Sequence, residues 1–403
     1  MSARRKQFLP YGRQNVDGRD IAAVAGALRS DWLTTGPCVE AFETALAKYC
    51  GAKHAVAVAN GTAALHVAML AAGLKPGDRA LTSAITFLAS ANCAEFVGAT
   101  ADFADIDPRT YNVTAGTLRA AWRDDVRAVV PVDFAGQPCD MPAIAALARK
   151  RGATIIEDAS HSIGGRFEHG GRWHKVGGHA WADMTTFSFH PVKTITTGEG
   201  GAILTNNDRM AERCLLFRNH GMVRNQKPSP GSNSCPLTSE RDPWFYEMTD
   251  LGFNYRITDL QCALGLSQLK KLDRFIRRRA EIIAAYNAAF ASLAGVQIPH
   301  VANIGTRSPR VAWHLYVLQM NFAALGRTRT QVMQQLRDEG VGTQVHYIPV
   351  HLQPYYRRRH GYGPGKCPVA ESYYQRCLSL PLYPAMTDKD VEHVIRAVRK
   401  LTK

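Results

Sequence analysis

Short β-rich runs tied to helical patterns restrict the first half of this 403-residue chain more than any other feature. "HAVAVAN" (54–60) precedes the helix-like "TAALHVAMLAAG", "VRAVVPVDF" precedes "MPAIAALARKRG", and "ATIIEDAS" follows that helix directly. Strand, helix and strand at this spacing demand right-handed crossovers and a mainly parallel sheet. A large α/β domain is therefore expected. From Thr258 the texture changes to a long helical stretch in which Leu260, Leu264, Leu269 and Phe275 recur near helical spacing. The strand-like "AWHLYVLQM", the helical "TRTQVMQQLRDEG" and the strand-like "VGTQVHYIPV" follow, as a second α+β layer would require. At this length one hydrophobic core rarely serves, and the division is placed at residues 1–262 and 263–403. "NQKPSPGSNSCPLTSERDP", rich in Pro, Ser and Asn, is expected to be an exposed, mobile loop.

Composition narrows the class. Apolar residues make up 46% of the chain, yet no run approaches bilayer length, and the basic opening "MSARRKQFLPYG" leads into no apolar segment. A soluble cytoplasmic protein without membrane partners is expected. The nine cysteines are odd in number, scattered, and nowhere in CxxC spacing, which reads as reduced, buried small hydrophobes and no metal site. The net charge of +15 is spread out, with short clusters such as Arg277–Arg279 and Arg357–Arg359 and no nucleic-acid motif. A phosphate-bearing substrate is a better match for it than nucleic acid.

Three features carry chemistry. Gly61 and Thr62 follow a strand and open a helix, whose first N–H groups attract phosphate; the plainer reading is a turn capped by Thr62. Asp158 stands just past a buried-type strand, where open α/β folds place ligands, although such an Asp is often only a turn former. Lys193, in "FSFHPVKTITTGEGGAILTN", sits on an irregular segment among Ser188, Thr196, Thr197 and Glu199. A surface lysine is the ordinary case, but a desolvated one becomes a nucleophile able to form a Schiff base. A phosphate site, an acid and a lysine in one α/β domain together meet the needs of pyridoxal 5′-phosphate.

That segment, with "EDASHSIGG" and "LGFNYRITDLQCALGLSQL", resembles the sugar aminotransferases of the DegT/DnrJ/EryC1/StrS family over nearly the whole chain. The resemblance implies the fold type I architecture and gives roles by position. Lys193 corresponds to the lysine on the cofactor aldehyde and Asp158 to the acid on its ring nitrogen. His161 falls near the phenolic oxygen and Phe87 on the ring face. Ser188, with Gly61 and Thr62, falls on the phosphate. Asn254 corresponds to an asparagine that reaches the phosphate from a partner subunit, which implies a homodimer with shared sites. Glutamate is the family's usual donor and a nucleotide-linked keto sugar the acceptor, with ping-pong kinetics. A related dehydratase subgroup carries histidine where this chain has Lys193, so transamination is expected. Within the family, "GTQVHYIPVHLQPYY" and "DPWFYEMTDLGFNYRITDLQCALGLSQL" most resemble enzymes of pseudaminic acid biosynthesis that aminate C4 of a UDP-linked 4-keto-6-deoxy-N-acetyl sugar. His346, Tyr347, His351 and His220 are candidates for the sugar or nucleotide side, with structural polar roles equally open. Another nucleotide keto sugar, of the GDP-perosamine type, is the alternative; a dehydratase or a non-catalytic regulator fits less well.

Overall fold

The computed structural model of the chain describes residues 8–224 and 243–401. The proline-rich segment lies outside the described residues, apart from its last residue, Pro243.

The strands in chain order are β1 His54–Val58, β2 Arg79–Ser83, β3 Thr100–Ala104, β4 Val126–Val130, β5 Thr154–Asp158, a hairpin of β6 Arg166–His169 and β7 Arg172–Lys175, β8 Met184–Ser188, β9 Gly201–Thr205, a short pair of β10 Met222–Val223 and β11 Glu247–Met248, then β12 Val296–Gln297, β13 Tyr316–Met320 and β14 Cys377–Leu380. Seven of them form one sheet in the order β1-β9-β8-β5-β4-β2-β3. Its β2, β3, β4, β5 and β8 pair in parallel, and β9 lies antiparallel to both β8 and β1. Only β9 therefore runs against the rest. Helices pack on both faces, so the strands are apolar runs rather than alternations, as "AVV" in β4 and "TII" in β5 show. The helix Gly61–Ala72 is buried almost all round, which its largely apolar composition, interrupted by Thr62 and His66, permits.

The smaller layer is an antiparallel sheet, β12-β13-β14. Along β13 the side chains divide by the period of two: Tyr316, Leu318 and Met320 enter a second core with Ile282, Tyr286 and Val394, while Val317 joins the core of the large sheet. The change of core falls within the helix Leu272–Phe290, not at residue 262. Cys262, Leu269, Leu272 and Phe275 still pack with Phe42 and Phe187 of the first layer, and Ile282 onward packs in the second. Leu9 also belongs to the second core, tied by its N–H to Gly340 O at 2.9 Å and by its carbonyl to Gly342 N at 2.7 Å. A long helix crossing both layers has no composition shift at the crossing, and a two-residue pairing at the N-terminus has no periodicity, so neither could be placed from sequence.

Candidate active site

Parallel pairing brings the C-terminal ends of neighbouring strands to one edge of the sheet, and the functional side chains leave from there. Asp158 is the last residue of β5 and Ser188 the last of β8. The chain leaves β1 through Asn60 into the helix Gly61–Ala72, whose N-cap is the Asn60 side chain, accepting from Ala63 N–H at 2.8 Å. Thr62 is thus inside the first turn and is not the cap. Glycine at 61 is a steric requirement: a Cβ there would stand 2.8 Å from Ser188 Cβ. The helix start and the end of β8 can meet only because that atom is missing.

Between these loops and the smaller layer lies a cavity of about 860 Å³, lined by Gly61, Thr62, Phe87, Asp158, His161, Ser188, Lys193, His346 and Tyr347, all expected from the sequence. Lys193 N–H donates to His190 O at 2.9 Å, fixing the irregular segment after β8. Burial lowers the Lys193 pKa to about 8, against the opposing pull of the Asp158 charge. Its amine is accordingly a far better nucleophile near neutrality than a surface lysine. Asp158 Oδ1 accepts from Ser160 N–H at 3.1 Å and from Ser160 Oγ at 2.6 Å.

His161 is buried, and that burial, helped by the Lys193 charge, holds its pKa well below the ordinary histidine value, so the ring is neutral. Its Nε2 lies 3.4 Å from the Tyr347 hydroxyl and its ring centroid 4.3 Å from that of His314. His161 Nδ1 is buried with no protein partner among the described residues. His346 is likewise neutral, lowered to about 3 by burial first and Lys193 second, and its Nδ1 lies 2.8 Å from Ser379 Oγ. Phe87 is 57% exposed, a large apolar face left open beside the cavity.

The structure leaves three of the expected residues away from this cavity. His351 is fully buried with Nε2 2.9 Å from Glu371 Oε1, and Glu371 also accepts from Gly365 and Cys367 N–H; that internal bonding, against Phe103, keeps it from the cavity. His220 and Asn254 lie together elsewhere: Asn219 bridges Asn254, and His220 N–H donates to Phe253 O at 2.9 Å. The Asn254 side chain is exposed. Conversely, Tyr11, His314 and Gln344 line the cavity without having been singled out. His314 sits within "AWHLYVLQM", whose only signal was strand propensity, and Tyr11 arrives through the N-terminal pairing that no local pattern marks.

The residues present suit pyridoxal phosphate. Of the residues lining the cavity, Lys193 would meet the aldehyde, Asp158 the ring nitrogen, Phe87 the ring face, and Ser188 with the first turn of Gly61–Ala72 the phosphate, two backbones that approach only because position 61 has no Cβ to strike Ser188. Among the described residues no group of His, Cys, Asp or Glu is arranged to hold a metal ion, and no helix is long and apolar enough to cross a membrane.

Comparison with known proteins agrees with the geometry. Residues 14–399 match the DegT/DnrJ/EryC1/StrS aminotransferase family, and the chain belongs to it. It is 42% identical over 407 residues to the spore coat polysaccharide biosynthesis protein SpsC of Bacillus subtilis, covering 100% of this chain and 99% of that one. Among solved structures it resembles Helicobacter pylori PseC, described as an aminotransferase involved in the biosynthesis of pseudoaminic acid, with a TM-score of 0.86, 28% identity, and coverage of 98% of this chain and 99% of PseC. It also resembles the PLP-form of Spr1654 from Streptococcus pneumoniae, at a TM-score of 0.85, 26% identity and 98% coverage of each chain. The protein is a sugar aminotransferase of fold type I, and its cofactor is pyridoxal 5′-phosphate.

Proposed function

We propose that the protein transfers an amino group from L-glutamate to C4 of a UDP-linked 4-keto-6-deoxy-N-acetyl sugar, giving UDP-4-amino-4,6-dideoxy-N-acetyl-β-L-altrosamine, a step of pseudaminic acid biosynthesis. The observation that supports it most is Lys193 in the cavity, where the dehydratase subgroup has histidine, in a chain alike to PseC over its full length.

When bound, the cofactor supplies an electron sink for a carbanion formed next to nitrogen. The side chains do the rest. Lys193 Nζ, deprotonated with ease, accepts the α-carbon proton of glutamate and in the second half-reaction delivers a proton to C4 of the sugar. Asp158 holds the ring nitrogen's proton in place. His161, neutral, would stand near the phenolic oxygen, and His346 and Tyr347, which line the same cavity, would meet the sugar. Ser188 and the first turn of Gly61–Ala72, both lining the cavity, would hold the phosphate. Asn254 and His220, which do not line the cavity of their own chain, serve the site of a second copy in a homodimer. Part of the +15 charge meets the diphosphate of the substrate.

The test is direct: incubate the loaded protein with glutamate and, separately, the UDP-linked L-series keto sugar, its epimers and a GDP-linked 4-keto-6-deoxy hexose, and follow amino-sugar mass and 2-oxoglutarate. Equimolar amino sugar and 2-oxoglutarate from the UDP-linked L-series sugar is the expected result. Preferred amination of the GDP sugar would replace the sugar assignment with the perosamine type.

A further inference from the structure

Asp158 is held by more donors than a strand-end turn needs. A carboxylate offers roughly four lone-pair positions. Ser160 fills two of them at Oδ1. The Ser90 hydroxyl fills another at Oδ2, 2.6 Å away. One acceptor position is left on a residue that lines the cavity.

The direction of the protons in this network follows from counting. Ser90 Oγ and Thr86 Oγ1 lie 2.6 Å apart. A carboxylate has no proton to give, so Ser90 commits its single O–H to Asp158, and Thr86 must then be the donor to Ser90. Thr86 is 2%, Ser90 1% and Asp158 5% exposed, so water does not compete for these bonds. In such surroundings each donor polarises the next.

We propose that Thr86 and Ser90 form a positioning relay that keeps negative charge on Asp158 and leaves it one acceptor for the cofactor's ring N–H, so that the shared proton stays on the ring nitrogen. The proposal rests on Asp158 being the partner of that nitrogen. The relay occupies the same turn as Phe87: Ser90, in the first turn of the helix Ala89–Phe96, donates its N–H to Phe87 O at 3.3 Å. One turn of chain thereby sets both the side chain offered to the ring face and the polarity of the acid behind it.

The test uses wild type, Ser90→Ala, Thr86→Val and Asp158→Asn, each loaded with pyridoxal phosphate carrying nitrogen-15 in the ring, and reads the ring nitrogen's chemical shift at several pH values. Wild type is expected at the protonated shift. Ser90→Ala moves it toward the unprotonated value, with kcat reduced about tenfold and KM little changed, as expected for losing one charge-assisted hydrogen bond. Thr86→Val moves the shift the same way by less. A protonated shift retained in both hydroxyl variants overturns the relay. If Ser90→Ala fails to fold, Thr86→Val, which replaces the hydroxyl by a methyl group of similar size and so removes the donor, decides alone. Asp158→Asn separates the two assignments: loss of the ring proton there with both hydroxyl variants unchanged rejects the relay only, whereas a proton retained in Asp158→Asn rejects Asp158 as the partner and the relay with it.

Discussion

At the scale of single residues, the chemistry depends on what burial does to Lys193. An amine lowered to about 8 is mostly protonated at pH 7 and mostly free at pH 9. Only the free amine attacks an aldehyde, so the rate at which cofactor-free protein takes up pyridoxal phosphate should rise with pH, inflect near 8, and then level. An inflection near 10.5, the ordinary lysine value, would mean that the site is wetter than the structure shows. Lys193→Ala should abolish turnover and leave no lysine to which borohydride can fix the cofactor; a label found on another lysine would move the nucleophile elsewhere. Asp158→Asn should fold and retain some cofactor affinity while turnover falls about a thousandfold, roughly 4 kcal/mol of barrier, because an amide cannot stabilise a positive ring nitrogen. Near-normal kcat in that variant would remove Asp158 from the mechanism.

At the scale of elements, the end proposed to hold the phosphate is made by two backbones in close approach. The helix Gly61–Ala72 starts against the end of β8, and Gly201, which opens β9, would carry any Cβ into the Asn60 carbonyl. Gly61→Ala should therefore push the helix start from Ser188. Overpacking at a buried contact this short costs about 1–3 kcal/mol. That corresponds to at least a several-fold rise in the cofactor's dissociation constant, measured by equilibrium titration, with overall folding retained. Unchanged affinity would show that the first turn does not touch the phosphate. The glycine pattern was visible in "ANGTAALH" and "GEGGAILTN", but the identity of the cap was not. Asn60 and Thr62 are both good capping types, and only the entry angle from β1 selects Asn60.

At the scale of the whole molecule, Asn254 and His220 lie outside the cavity of their own chain. A shared site makes a clean prediction. Lys193→Ala and Asn254→Ala, differently tagged and co-expressed, should form mixed dimers in which one site keeps both residues and the other neither. Such dimers should recover about half of wild-type activity, since independent sites add, while each parent stays strongly impaired. Mixed dimers as inactive as the parents would confine Asn254 to another role and leave the Lys193 chemistry intact.

The sequence by itself determined the α/β class, the mainly parallel sheet, and the chain order of glycine turn, strand-end Asp158 and Lys193, because each is written in local periodicity or in residues at or just past a strand end. Strand-end position places Asp158 and Ser188 on one edge once the strands pair in parallel, and Lys193 follows on the irregular segment that leaves β8 at that edge. Tertiary structure decided what long-range packing controls. His351, in the same short motif as cavity residues His346 and Tyr347, turns inward to Glu371, whereas His314, in a run that read only as strand, reaches the cavity. The donor to Asp158 Oδ2 is Ser90, 68 residues away in the chain. Leu9 crosses to the second core, and the change of core falls inside a continuous helix. None of these has a local signature, since each depends on which side chains meet after distant segments pack, and a pattern of periods two and 3.6 carries no record of that.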